Sequence, residues 1–195
     1  AWPLLGKAGE ALQLVVKTSS PFRLPFEALY LAHLGRDAEA AKILERFVVN
    51  RPGIGSAEDE TPSYFDILFL EAAVLVKHRQ AAELLLNRFA GGCSPLLSYP
   101  QTCTVRHLGG ASALLGKYDE ARKYYQEAIK VCTEVKFRPE IALTRLQLAE
   151  LLLEHYPEEK KEALEHLDFA IKEFREMKMQ PSLERALRHK EILKA

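Results

Sequence analysis

The chain is short of cysteine, has no net charge and lacks a long apolar run, and each shortage excludes something. Its 195 residues hold three cysteines, Cys93, Cys103 and Cys132, at irregular spacing. That pattern builds no disulfide framework, and a reducing, cytoplasmic setting is the expectation. Lys plus Arg is 27 and Asp plus Glu is 27, so the formal net charge is zero. A general nucleic-acid binder shows a basic excess, so direct nucleic-acid binding is not expected. No apolar run approaches the roughly 18 residues of a membrane span. The best candidate, Tyr64 to Val76, is broken by Asp66 and Glu71. No stretch alternates for long, so no strand is expected.

Motifs that carry chemistry are equally scarce. Gly6-Lys7 lacks the upstream glycine and the following Ser or Thr of a phosphate loop. Cys103 and His107 are four apart and, with Cys132 or Cys93, have metal-like types. Cys132 fits an apolar stripe, however, where a free cysteine acts as a small hydrophobe. His155, His166 and His189 show no His-Glu-x-x-His spacing. No isolated acid–base pair and no Cys–His nucleophile pair stand out. The expectation is a non-enzymatic chain without cofactor or metal.

What is present is a repeat. Four segments, 35–40, 77–82, 116–121 and 158–163, close on Ala40, Ala82, Ala121 and Ala163, which stand 42, 39 and 42 residues apart. Four residues on stand Leu44, Leu86, Tyr125 and Leu167; seven on stand Phe47, Phe89, Ala128 and Ala170. Spacing of 0, 4 and 7 marks one face of a helix. A second helical stretch precedes each segment, so each repeat reads as a helical hairpin too small to bury its face alone. The expected hairpins are 24–34 with 37–49, 62–76 with 78–90, 102–115 with 118–135, and 140–155 with 159–178. A further helix covers 182–193, after Pro181. Gly116 suits the left-handed residue that ends a helix. The acidic stretch Ala57 to Glu60 lies in the 50–62 loop, and the expectation is that it caps the helix near Thr61 or Pro62.

Leu4 to Ala11 parallels Leu114 to Ala121, and the first four residues are identical. Half a hairpin at the start, with Ala1 in place of Met, gives the expectation of a segment cut from a longer protein. One repeat domain is expected over 1–195, with units near 22–50, 62–91, 102–136 and 139–178 and a capping helix at 181–193.

Leu108-Gly109, Gly116, Tyr118, Ala121, Tyr125 and Ala128 stand at the spacing of the tetratricopeptide repeat family, which this sequence resembles. Val105 stands in place of the usual tryptophan and Ser112 in place of a tyrosine. The unit runs to about 42 residues rather than the family's 34. Such long repeats resemble the C-terminal helical region of bacterial signalling ATPases, including LuxR-type regulators and chains linked to nucleotide cyclases. The resemblance runs from Arg106-His107-Leu108-Gly109-Gly110 to Met177-Lys178-Met179. It implies an all-α fold, a right-handed superhelix of hairpins, and no catalysis. It also implies a scaffold role, with a protein, a peptide or a neighbouring domain bound in the concave groove. Inducer sensing by a small molecule is the alternative, and an open array end makes self-association plausible.

The first helix of each pair lines the concave side, which carries the site expectations over to Tyr64, Glu71, Arg106, His107, Gln147, Glu150 and Glu154. Arg106 and His107 are expected to meet an anionic group.

Overall fold

The structure, a computed structural model, describes residues 7–17, 23–98 and 101–192. The expected match over Leu4 to Gly6, the start of the first unit at Phe22, Pro100, and residue 193 of the last helix lie outside the described residues.

The fold is all-α, a run of tetratricopeptide-like hairpins. Helix α1 spans Ala8–Val16. The first hairpin pairs α2 (Leu24–His33) with α3 (Asp37–Leu44), which continues as a wider π turn over Glu45–Val49. The second pairs α4 (Ser63–Leu75) with α5 (Arg79–Phe89), and the third α6 (Thr104–Leu114) with α7 (Tyr118–Glu134). The fourth pairs α8 (Arg138–His155) with α9 (Lys160–Glu176), and α10 (Gln180–Ile192) follows. Pro139 falls in the first turn of α8, where its missing N–H costs nothing.

The repeat alanines explain the pairing. Ala40, Ala82, Ala121 and Ala163 are all fully buried, as are Leu44 and Leu167 four residues on. A side chain no larger than a methyl group lets two helices approach closely. Gly109 marks the tightest approach. A Cβ there would lie 2.6 Å from the ring of Tyr125 on the paired helix, whereas one on Gly110 would meet Val74 at 3.5 Å.

Five helix ends close in the same way. The terminating residue is left-handed at Gly35, Lys77, Gly116, Lys136 and Lys178, with φ from 55° to 83°. The next N–H then donates back to a carbonyl five residues earlier. Examples are Arg36 to Leu31 at 2.9 Å, His78 to Ala73 at 2.8 Å, and Phe137 to Cys132 at 2.8 Å. This bond satisfies carbonyls that the helix end leaves open.

Two features depart from the sequence expectation. Leu96–Ser98 (β1) and Gln101–Cys103 (β2) form a short antiparallel pair, with Leu96 opposite Cys103 and Ser98 opposite Gln101. Three residues are too few for a period of two to show. The acidic loop does not cap α4, since Pro62 at that position makes no side-chain cap bond. Asp59 turns inward instead. Its carboxylate accepts from the N–H groups of Gly55 and Thr61, both at 3.1 Å, and pairs with Arg51 and Arg88. The same arginines hold Asp66, whose side chain is fully buried. Two carboxylates and two guanidiniums thereby fasten the 50–62 loop to α4 and α5.

Apolar residues gather in three clusters. One lies among α1 to α6, one among α7 to α10, and a small third one joins Cys103, Val105, Ala128, Cys132 and Ile141.

Two outcomes follow for stability. Gly109→Ala overpacks the Tyr125 contact and lowers stability by about 1–3 kcal/mol, while Gly110→Ala is neutral or gains up to about 1 kcal/mol from helix propensity. Asp66→Ala leaves two buried guanidiniums short of a partner and costs about 3–5 kcal/mol. Urea denaturation of the three variants checks both.

Candidate functional site

The first helices of all four hairpins face one way, and α10 closes the far side. Between them lies a groove of about 1300 Å³. Its lining takes His33 from α2, Glu71, Val74 and Leu75 from α4, and Arg106, His107 and Gly110 from α6. Leu143, Leu146 and Gln147 come from α8, Met177 to Met179 from the turn after α9, and Arg185 and Arg188 from α10.

The floor is a buried polar cluster. Glu140, at the start of α8, is fully buried. A buried carboxylate needs a cation and hydrogen bonds, and α6 supplies both. Arg106 Nε donates to Glu140 Oε2 at 2.7 Å, and Nη2 donates to Oε1 at 3.4 Å. Thr102 in the middle of β2 donates its hydroxyl to Oε1 at 3.0 Å. His107 Nε2 lies 2.7 Å from the Thr102 hydroxyl. The same Nε2 lies 3.1 Å from Arg106 Nη2, so it stands between a hydroxyl and a guanidinium that can only donate. Arg106 Nη1 reaches Gln147 Oε1 at 3.4 Å.

Burial sets the charge states. It works against the charge of Arg106, yet Glu140 and Glu71 hold that guanidinium above its ordinary range. Burial pushes His107 well below its usual value, with Arg106 adding to the effect. His33 falls from 6.5 to about 4 through burial and the nearby charges of Arg106 and Arg185. Both imidazoles are therefore neutral near pH 7. Burial raises Glu71, and Arg106 only partly offsets it.

The candidate residues separate into two groups. Glu71, Arg106, His107 and Gln147 meet at the groove. Arg106 and His107 do not stand exposed as expected: they are 4% and 3% exposed. Glu140, which the sequence offered as one acidic residue among many, consumes the guanidinium. Tyr64 sits edge-on to Phe65, with ring centroids 4.4 Å apart, away from the groove lining. Glu150 holds Arg185 at 2.6 Å and His189 at 2.9 Å. Glu154 is exposed beside His155.

His33 and the α10 wall were missed. His33 ends its helix at the position that the repeat pattern leaves unmarked. Helix α10 has no repeat partner to align with. Cys103 and Cys132 are both fully buried in the third apolar cluster. Among the described residues no group of three His, Cys, Asp or Glu side chains is placed to hold a metal, and no helix is long and apolar enough to cross a membrane.

The depressed value of His33 has a consequence for stability. Between pH 6.5 and about 4 the unfolded imidazole binds a proton that the folded one refuses. The unfolded state then holds more protons, so stability falls as pH drops through this window. His107 acts in the same direction, and Glu71, raised by burial, opposes it. The unfolding free energy of His33→Gln, from urea denaturation, is expected to fall less than that of wild type over this window, by an amount on the order of 2 kcal/mol.

Comparison with curated proteins and with solved structures finds no match. Residues 101–172, which span α6, α7, α8 and most of α9, match the family described as Tetratricopeptide repeat.

Proposed function

We propose that the chain is a non-enzymatic interaction module that docks an extended segment of a protein partner, or of a neighbouring domain, in the concave groove. The observation that carries this reading is the groove itself. At about 1300 Å³ it exceeds the roughly 300–1,000 Å³ of a small-molecule pocket. Its length draws on the first helices of all four hairpins, which suits a chain segment better than a compact inducer. Tetratricopeptide repeats generally mediate protein–protein contacts, and the match over 101–172 supports that role.

The same proposal places the module in a bacterial signalling or transcription-regulatory protein of the cytoplasm. The likeness of Arg106 to Gly110 and of Met177 to Met179 to the helical regions of signalling ATPases supports this. Three free cysteines, two of them buried, fit a reducing compartment. The recognising surface comprises Glu71, Arg106, His107 and Gln147 at the floor, with Glu150 acting through Arg185. The balanced charge of the chain gives no reason to assign it nucleic acid.

Photo-crosslinking in cells tests the reading. Benzoylphenylalanine at Leu143 or Gln147 is expected to trap a discrete protein adduct. The same probe at Lys130, exposed on the second helix of its hairpin, is expected to trap none. Equal labelling from both faces would count against the groove.

A further inference from the structure

The charges that face the groove are unequal in sign. Among the described residues its lining holds one carboxylate, Glu71, against the cations Arg106, Lys178, Arg185 and Arg188. The floor is paired within itself: Glu140 holds Arg106 from beneath, and Glu71 stands 3.9 Å from Arg106 Nη2. The surplus therefore lies on the far wall, on α10 and the turn before it. Arg185 places Nε and Nη2 on the two oxygens of Glu150, each at 2.6 Å, which fixes its guanidinium in place. Lys178 and Arg188 are exposed and have no ion-pair partner among the described residues. On α9, Asp168 is taken by Lys190, and Glu173 and Glu176 by Arg138.

The cations of this wall are aligned. Ser182, Arg185 and Arg188 all line the groove, and a spacing of three puts them on one face of α10. Their charge reaches across to α2. After burial, Arg106 and Arg185 are what hold the His33 imidazole low. A concave surface lined by one sign of charge focuses its field, so these cations act together where single exposed ones would be screened. The same lining presents partly exposed apolar side chains, Val74, Leu143, Met177 and Met179. Among the described residues it holds one phenyl ring, Phe137, not the row of aromatic rings on which unpaired bases stack.

Resting on the groove as partner site, we propose that its occupant is an acidic protein segment in which carboxylate side chains alternate with apolar ones. Its Asp or Glu side chains meet Lys178 and Arg188, and its apolar side chains lie against Val74, Leu143 and Met179. The anionic group expected from sequence at Arg106 and His107 is thereby assigned to α10 instead, because the floor pair is buried and Arg106 is committed to Glu140.

Three short peptides test this on the whole chain by fluorescence polarisation. They share the same leucines and differ only in whether glutamate, glutamine or lysine fills the positions between. The glutamate peptide is expected to bind most tightly and to weaken as salt is raised. Lys178→Gln combined with Arg188→Gln should weaken it by about tenfold. Lys130→Gln combined with Lys172→Gln removes the same charge from exposed positions of α7 and α9 and should change nothing. If the groove pair does not fold, Arg188→Gln alone and the order of the three peptides on the wild-type chain still decide. Equal binding of the glutamate and glutamine peptides, tighter binding of the lysine peptide, or no binding of any would overturn the charge assignment. So would equal losses from the two double variants, or a single-stranded oligonucleotide that displaces the glutamate peptide more strongly than its unlabelled copy does. Those outcomes leave the groove reading standing, because the crosslinks test it separately.

Discussion

The whole array turns on the close approach of two helices at one alanine per hairpin. Ala40, Ala82, Ala121 and Ala163 are sealed from solvent, and each lets the first helix of its pair lie against the second. Any larger side chain there would push the helices apart and leave voids among the leucines and aromatics one and two turns on. The approach fixes which face of the first helix turns outward. That face is the groove. The binding surface is therefore a by-product of packing, repeated four times, rather than a separately built pocket.

Charge enters where this scheme would otherwise fail. The 50–62 loop is long for a connection between hairpins, and Arg51, Arg88, Asp59 and Asp66 tie it down. Between the third and fourth hairpins, Arg106 and Glu140 do the same beneath the groove. Both clusters are buried, and neither is a surface ion pair that salt would weaken. Their worth lies in geometry: each ion finds its partner in one arrangement of the hairpins, and a slipped arrangement would strand it.

The helices were legible because their signal is local and repeats. Alanine, then a large apolar residue after four, marks a face that no other period explains. The expected span of 62–76 against the observed Ser63–Leu75 shows how far that carries. The β1–β2 pair was hidden because three-residue strands have no room for a pattern. The inward turn of Asp59 was hidden for another reason. Its arginine partners lie 8 residues before it and 29 after it in the chain, and nothing local points from one to the others. The site was half legible. The repeat register put Glu71, Arg106, His107 and Gln147 on the right helices, but Glu140 is what draws the Arg106 guanidinium into the floor beneath the groove. That depends on a contact between residues 34 apart.

The apolar clusters divide the array into an N-terminal and a C-terminal block, and the groove straddles the boundary. Glu71 and Val74 rise from the first block, Leu146 and Gln147 from the second. In a linear array each unit leans on its neighbours alone, and the ends can fray while the middle holds. An occupant lying across the boundary touches both blocks at once. It acts as a splint: the two blocks can no longer come apart independently, and the array gains cooperativity from a molecule that adds nothing to either core.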